Sequence, residues 1–154
     1  LNSLQDILGF LTPIGRLWFY RPVIQILFGL DYSIFGLNPV PYHLQSLVLH
    51  CLNTGLVYLL ALRLGEGKQL VGLTSAVVFA SNWRHDESVW WISSMGDLLA
   101  AFFILLTNLL FLAYLSDKRK GIYVVSIGTF VLALLSKESA ISLPLLLFLL
   151  EYLE

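Results

Sequence analysis

The chain has 154 residues, 58% of them hydrophobic and 12% charged, with a formal net charge of −1. Soluble domains are nearer half apolar and a quarter charged, so the apolar excess, gathered in runs, excludes an ordinary soluble globule and points to helices in a bilayer. The near-neutral balance leaves no nucleic-acid footprint, and the single Cys51 cannot close an internal disulfide.

Residues 1–41 read as an interfacial segment rather than a span. Leu4, Ile7, Leu8 and Leu11 recur at helical spacing among Asn2, Gln5 and Asp6, and Pro13 and Gly15 break that helix. Trp18, Phe19, Tyr20 and Arg21 favour the headgroup level. The apolar stretch from Val23 to Phe35 is interrupted by Gln25 and Asp31, and the run from Gly36 to Pro41 has turn composition. Spans are then expected at about 42–64, 69–82, 97–116, 122–136 and 140–153, since about 20 apolar residues cross the hydrocarbon core and the short ones borrow length from their flanks. The fold class expected is all-α: a polytopic transmembrane helix bundle with external amphipathic juxtamembrane helices, one partial domain of a longer protein. No cleavable signal peptide is visible at Leu1.

His43, His50 and Asn53 share one face of the first span, and that face should look into the bundle. Between the second and third spans lies a polar insert with Arg84, His85, Asp86, Glu87, Trp90 and Trp91, and Asp97 opens the next apolar run. Charges pressed between spans are expensive and need a reason. Orientation follows from basic residues in short loops. Arg63 and Lys68 lie in one loop and Lys118, Arg119 and Lys120 in another, two spans later, so both belong on the cytoplasmic side. Arg21, the 81–96 insert, Asp97 and the turn Lys137-Glu138-Ser139 then converge on the external, periplasmic or lumenal, face.

Each of these residues also has a plainer reading. Arg21 could be an interfacial anchor that snorkels. Lys137 and Glu138 could be a self-neutralising turn pair, and Asp97 an N-cap. His85 and Glu87 are too few to assign a metal site, and an ion pair with Arg84 accounts for them. His43 and His50 fit helix packing. Trp90 and Trp91 fit an aromatic belt, or a sugar-stacking platform.

The series Tyr20-Arg21-Pro22, Asp31-Tyr32, Phe35-Gly36-Leu37-Asn38-Pro39, Tyr42-His43-Leu44, Leu49-His50, Phe79-Ala80, His85-x-Glu87-x-Val89-x-Trp91-Ile92, Asp97-Leu98-Leu99-Ala100 and Leu134-Leu135-Ser136-Lys137-Glu138 with Pro144 resembles the membrane glycosyltransferases of the C-type fold. The likeness is greatest to their protein O-mannosyltransferase-like branch, which includes forms with tetratricopeptide repeats behind the membrane part. It covers nearly the whole chain. It implies transfer of a sugar, a hexose such as mannose, from a polyprenyl-phosphate donor to a protein, lipid or glycan hydroxyl on the external face of the bilayer. By matching position it places Arg21 and Lys137 on the donor phosphate and makes Asp97 a catalytic candidate. Tyr20, His85, Glu87, Trp91 and Glu138 then line the site. It puts the general base ahead of Leu1, since Asp6 shows no matching motif. Two motifs depart from the pattern: Asn82-Trp83-Arg84-His85 stands for a His-x-x-His with an internal Pro, and Ser94-Met95-Gly96 for a Gly-Arg before the acidic residue. No cofactor is implied with certainty, and a divalent metal stays open. A multi-pass protein of a bacterial plasma membrane is expected ahead of one of the endoplasmic reticulum. A transporter or lipid-handling protein, or a non-catalytic membrane scaffold, is the alternative, because intramembrane charges and short spans occur there too.

Overall fold

The structure, a computed structural model, describes residues 20–82 and 91–153. Among these residues it is helical throughout, with no strand. The segment before Tyr20 and the charged cluster from Arg84 to Glu87, with Trp90, fall outside the described residues.

Helix α1, Pro22–Phe35, begins on a proline whose fixed φ suits the first helical position. It ends at Gly36, whose φ of 60° is a conformation that costs glycine little. Helix α2, Pro39–Leu64, starts three residues earlier than the expected span. The reason is local: Asn38 Oδ1 accepts from the Val40 amide at 3.2 Å. Pro39 and Pro41 occupy the first turn, where no amide is needed for the helical ladder. Helix α3, Gln69–Ala80, stops at Ala80, short of the expected 82. Helix α4, Met95–Asp117, is entered through a 3-10 turn at Ile92–Ser94. Helix α5 is Lys120–Ser136, and a second 3-10 turn, Glu138–Ser142, leads into α6, Leu143–Leu153.

Two of these helices are long and apolar enough to cross a membrane: α2 with its 26 residues, and Ile92–Asp117, also 26. At ~1.5 Å per residue each spans ~39 Å, against a hydrocarbon core of ~30 Å. The helices α1, α3 and α5 are apolar but shorter.

Helix α4 is the spine. It packs along α5, and α2 lies against both α4 and α3. Met95, Leu98, Ala100 and Leu112 of α4 are buried among these neighbours. The facing stripe of α5 is small and polar: Ser126, Thr129, Ala133 and Ser136 are all buried. Small residues let helices approach closely where the hydrophobic effect gives no preference between helix and lipid. Thr129 meets Thr107 of α4 with the hydroxyls 2.8 Å apart.

Polar ties fix the direction of the helices. Asn53 of α2 is fully buried and donates through Nδ2 to the Leu98 carbonyl at 2.9 Å. At the end of α2, Arg63 donates to the Leu112 carbonyl at 3.4 Å and to Ser116 Oγ. So α2 and α4 run parallel. The pairs Thr107–Thr129 and Tyr114–Tyr123, the latter rings 4.9 Å apart, make α4 and α5 antiparallel. The turn at 65–68 and the 118–119 connection thus share the end that carries Arg63, Lys68, Lys118, Arg119 and Lys120. Asp97 and Lys137 lie at the other end, ~30 Å away along α4. Within α2, Asn53 faces the bundle as its spacing implied. His50 is half-buried and stacks on Phe79 of α3 at 5.6 Å.

Close approach of α3 to α2 depends on Gly72. A Cβ there would lie 2.9 Å from Tyr58 Cε2 and 3.2 Å from the Tyr58 carbonyl. Gly72→Leu is therefore expected to force α3 off α2 and destabilise the protein by about 1–3 kcal/mol, read as a lower thermal midpoint in detergent micelles. In a Cys51→Ser background, Ser93→Cys and Arg119→Cys at the two ends of α4 are expected to react with a membrane-impermeant maleimide from opposite sides of sealed vesicles. Labelling of both from one side would contradict a membrane-crossing α4.

A charged junction at one end of the bundle

The residues from Ser136 to Glu138 join three helices. Helix α5 ends at Ser136, and Lys137 is extended, with φ −159° and ψ 141°. Its amide still closes the helix by donating to the Ala133 carbonyl at 3.0 Å. Lys137 turns toward α4, while Glu138, which opens the 3-10 turn, turns toward the start of α1.

Each side chain finds an opposite charge there. Lys137 Nζ donates to Asp97 Oδ1. Arg21 closes on Glu138 with a fork: Nε donates to Oε2 at 2.9 Å and Nη2 to Oε1 at 2.5 Å. Two parallel charge-assisted bonds of this kind are among the stronger polar contacts a protein makes. The self-neutralising Lys137–Glu138 turn is not what forms; the extended backbone separates the two and hands each to a different helix. Arg21 is also more than a snorkelling anchor, since its head is 27% exposed and held by a carboxylate.

Asp97 is not the N-cap. Ser94 holds that position, and Asp97 is the third residue of α4. The entering 3-10 turn moves the helix start two residues upstream of Asp97. In the first turn its charge still meets the positive end of the helix dipole. Beneath the charges the three helices touch. A Cβ on the buried Gly96 would lie 3.7 Å from the Ser136 carbonyl and 3.9 Å from Ile24 Cγ1, so α1, α4 and α5 meet at ordinary van der Waals distance.

The structure thus brings together Arg21, Asp97, Lys137 and Glu138. Tyr20 stands beside Arg21 and is 46% exposed, and Trp91 is 68% exposed at the head of the 3-10 turn before α4. His85 and Glu87 lie outside the described residues. No group of three or more metal-ligating side chains occurs among the described residues.

One polar pair was missed. Asp31, an interruption of an apolar stretch and part of the resembling series, is 3% exposed. Gln45 of α2 donates to its Oδ1 at 2.6 Å. Asp31 Oδ2 and Gln45 Oε1 are buried without a hydrogen-bond partner among the described residues. The signal available was the cost of a carboxylate inside an apolar run. Next to this pair, a cavity of about 500 Å³ is lined by Phe28, Tyr32, Tyr42, Ile92 and Ser93. It opens one turn before Asp97.

The chain is similar to Protein O-mannosyl-transferase Tmtc1 of Drosophila melanogaster, with 33% identity over 127 residues, 82% of this chain and 15% of that protein. It is similar to Protein O-mannosyl-transferase TMTC2 of Homo sapiens, with 35% identity over 109 residues, 70% of this chain and 13% of that protein. With Protein O-mannosyl-transferase Tmtc2 of Drosophila melanogaster it shares 33% identity over 139 residues, 86% of this chain and 15% of that protein. The chain therefore spans about a seventh of the length of the relatives it matches. No family model matches the chain. No solved structure matches it. These relatives are animal proteins, and the expected preference for a bacterial plasma membrane finds no support in them.

The Glu138 carboxyl is held below the usual carboxylate range, first by the hydrogen bond from Arg21, then by its backbone setting. A carboxyl depressed in the folded state adds stability above its unfolded value and loses it as pH falls through the folded one. Acidification is thus expected to release α1 from the 138–142 turn. Carbon-13 titration of Glu138 should show a value below the ordinary one, and Arg21→Gln should move it back up. An Arg21→Gln titration identical to that of the parent would show that the fork does not set it.

Proposed function

We propose, from the similarity of this chain to part of the protein O-mannosyl-transferases, that it forms part of a multi-pass membrane glycosyltransferase. The reaction is transfer of a hexose such as mannose from a polyprenyl-phosphate donor to a hydroxyl of a protein acceptor, on the external (lumenal) side. The observation that supports this reading is the junction itself. Two basic and two acidic side chains from α1, α4 and the turn after α5 meet at the end of the bundle opposite the basic loops. Charges are costly next to apolar helices, and such a cluster marks a site by default.

The chemistry asks for what these residues can supply. In the transfer, the acceptor oxygen bonds to the anomeric carbon while the bond from that carbon to the donor's phosphate oxygen breaks. The electron pair leaves with the phosphate, and the acceptor proton passes to a general base. Negative charge grows on the phosphate as the bond breaks. Arg21 offers a planar fork that matches two phosphate oxygens, and Lys137 adds a compact positive charge. Donors fixed in place before the reaction stabilise that charge without reorganising during it. Asp97 holds the Lys137 ammonium and so sets where its charge lies. The outward apolar surfaces, such as Leu73, Val77 and Val78 of α3 and Val124 and Val131 of α5, suit contact with lipid or with further helices of the whole protein.

In the full-length protein, Lys137→Ala is expected to lower turnover from a polyprenyl-phosphate sugar by about 10²–10³-fold, with membrane insertion unchanged. Unaltered turnover in a correctly inserted Lys137→Ala protein would remove Lys137 from the site.

A further inference from the structure

Among the described residues, the Arg21 fork is taken by Glu138 and the Lys137 ammonium by Asp97. A phosphate can take the fork only if the Glu138 carboxylate gives way. We infer that the Glu138 carboxylate is a displaceable stand-in for the donor's phosphate: it closes the Arg21 fork in the empty site, and an entering phosphate takes its place. The inference rests on the phosphate-binding reading of Arg21 and Lys137 given above.

Geometry says which group moves. The basic heads are the sheltered partners, Arg21 at 27% and Lys137 at 25% exposed, while Glu138 is 57% and Asp97 43% exposed. A released carboxylate must be rehydrated, and Glu138 is already the most hydrated of the four. It also sits on a single 3-10 turn hung from an extended residue, whereas Asp97 is fixed in the first turn of a 23-residue helix whose dipole favours its charge. Glu138 is therefore the carboxylate that leaves and Asp97 the one that stays. The fork matches the exchange, because the two oxygens of Glu138 occupy the positions two phosphate oxygens need.

The consequence is selectivity. Every anion must compete with a carboxylate tethered beside the site, so a small free anion is held weakly. A ligand that brings binding energy from elsewhere, as a prenyl tail does, can overcome the latch.

The test uses the full-length protein in detergent micelles, with a short-chain polyprenyl monophosphate and inorganic phosphate as probes. Glu138→Gln is expected to bind the polyprenyl phosphate up to about fivefold more tightly. Glu138→Asp keeps the charge but draws the carboxylate back by one methylene, and tightening there as well separates the latch from simple charge removal. In the parent protein, saturating polyprenyl phosphate should raise the carbon-13 titration of Glu138 toward its ordinary value. Polyprenyl phosphate binding with that titration unmoved, or with no tightening in either Glu138 variant, overturns the stand-in and leaves the phosphate site in place. Equal binding of polyprenyl phosphate by the parent, Arg21→Gln and Lys137→Ala overturns the phosphate site itself, and the stand-in with it. Inorganic phosphate bound as tightly as polyprenyl phosphate by the parent would overturn the selectivity.

Discussion

The end of the bundle that carries the charges is governed by one constraint: a charge set against apolar helices must find its opposite. Arg21, Asp97, Lys137 and Glu138 meet it in pairs that cross between elements. Each pair ties the turn after α5 to another helix, one to α1 and one to α4. Because Gly96 lets α1, α4 and α5 come together beneath the charges, the pairs stand on a packed floor. The polar groups thereby gain fixed positions.

Away from that end the same logic runs on neutral groups. Asn53 on the Leu98 carbonyl and Thr107 against Thr129 are buried, and each satisfies polar atoms that lipid could not. They also set how the helices slide past one another, since apolar contacts alone allow many registers. Arg63 does this at the far end, where it reaches Ser116. The distance between the two polar ends is thereby fixed along α4, and it is close to the thickness of a bilayer core.

The helices were legible in the sequence because apolar runs of this length leave few alternatives. Their starts were less so: Pro39 and Pro41 look like turn residues, yet both fit a first helical turn once Asn38 caps it. The gathering of Asp97 and Lys137 at one end could be read from the number of helices between them and the basic loops. Their partners could not. Lys137 and Glu138 are neighbours in sequence, and only the extended backbone at Lys137 shows that they face apart. Asp31 was hidden for a related reason. Its partner Gln45 is 14 residues away on another helix, and no local pattern links an acid in one apolar run to an amide in the next.

The extended residue between α5 and its following turn carries a consequence for how this stretch can vary. One added or deleted residue there would change the direction in which each of the two side chains leaves the backbone. Arg21 and Asp97, held on other helices, would then no longer face their partners. Keeping the sign of each charge is not enough to keep the pairing. A change in length breaks it even when every residue type is kept, so the spacing after Ser136 carries as much information as the lysine and the glutamate themselves.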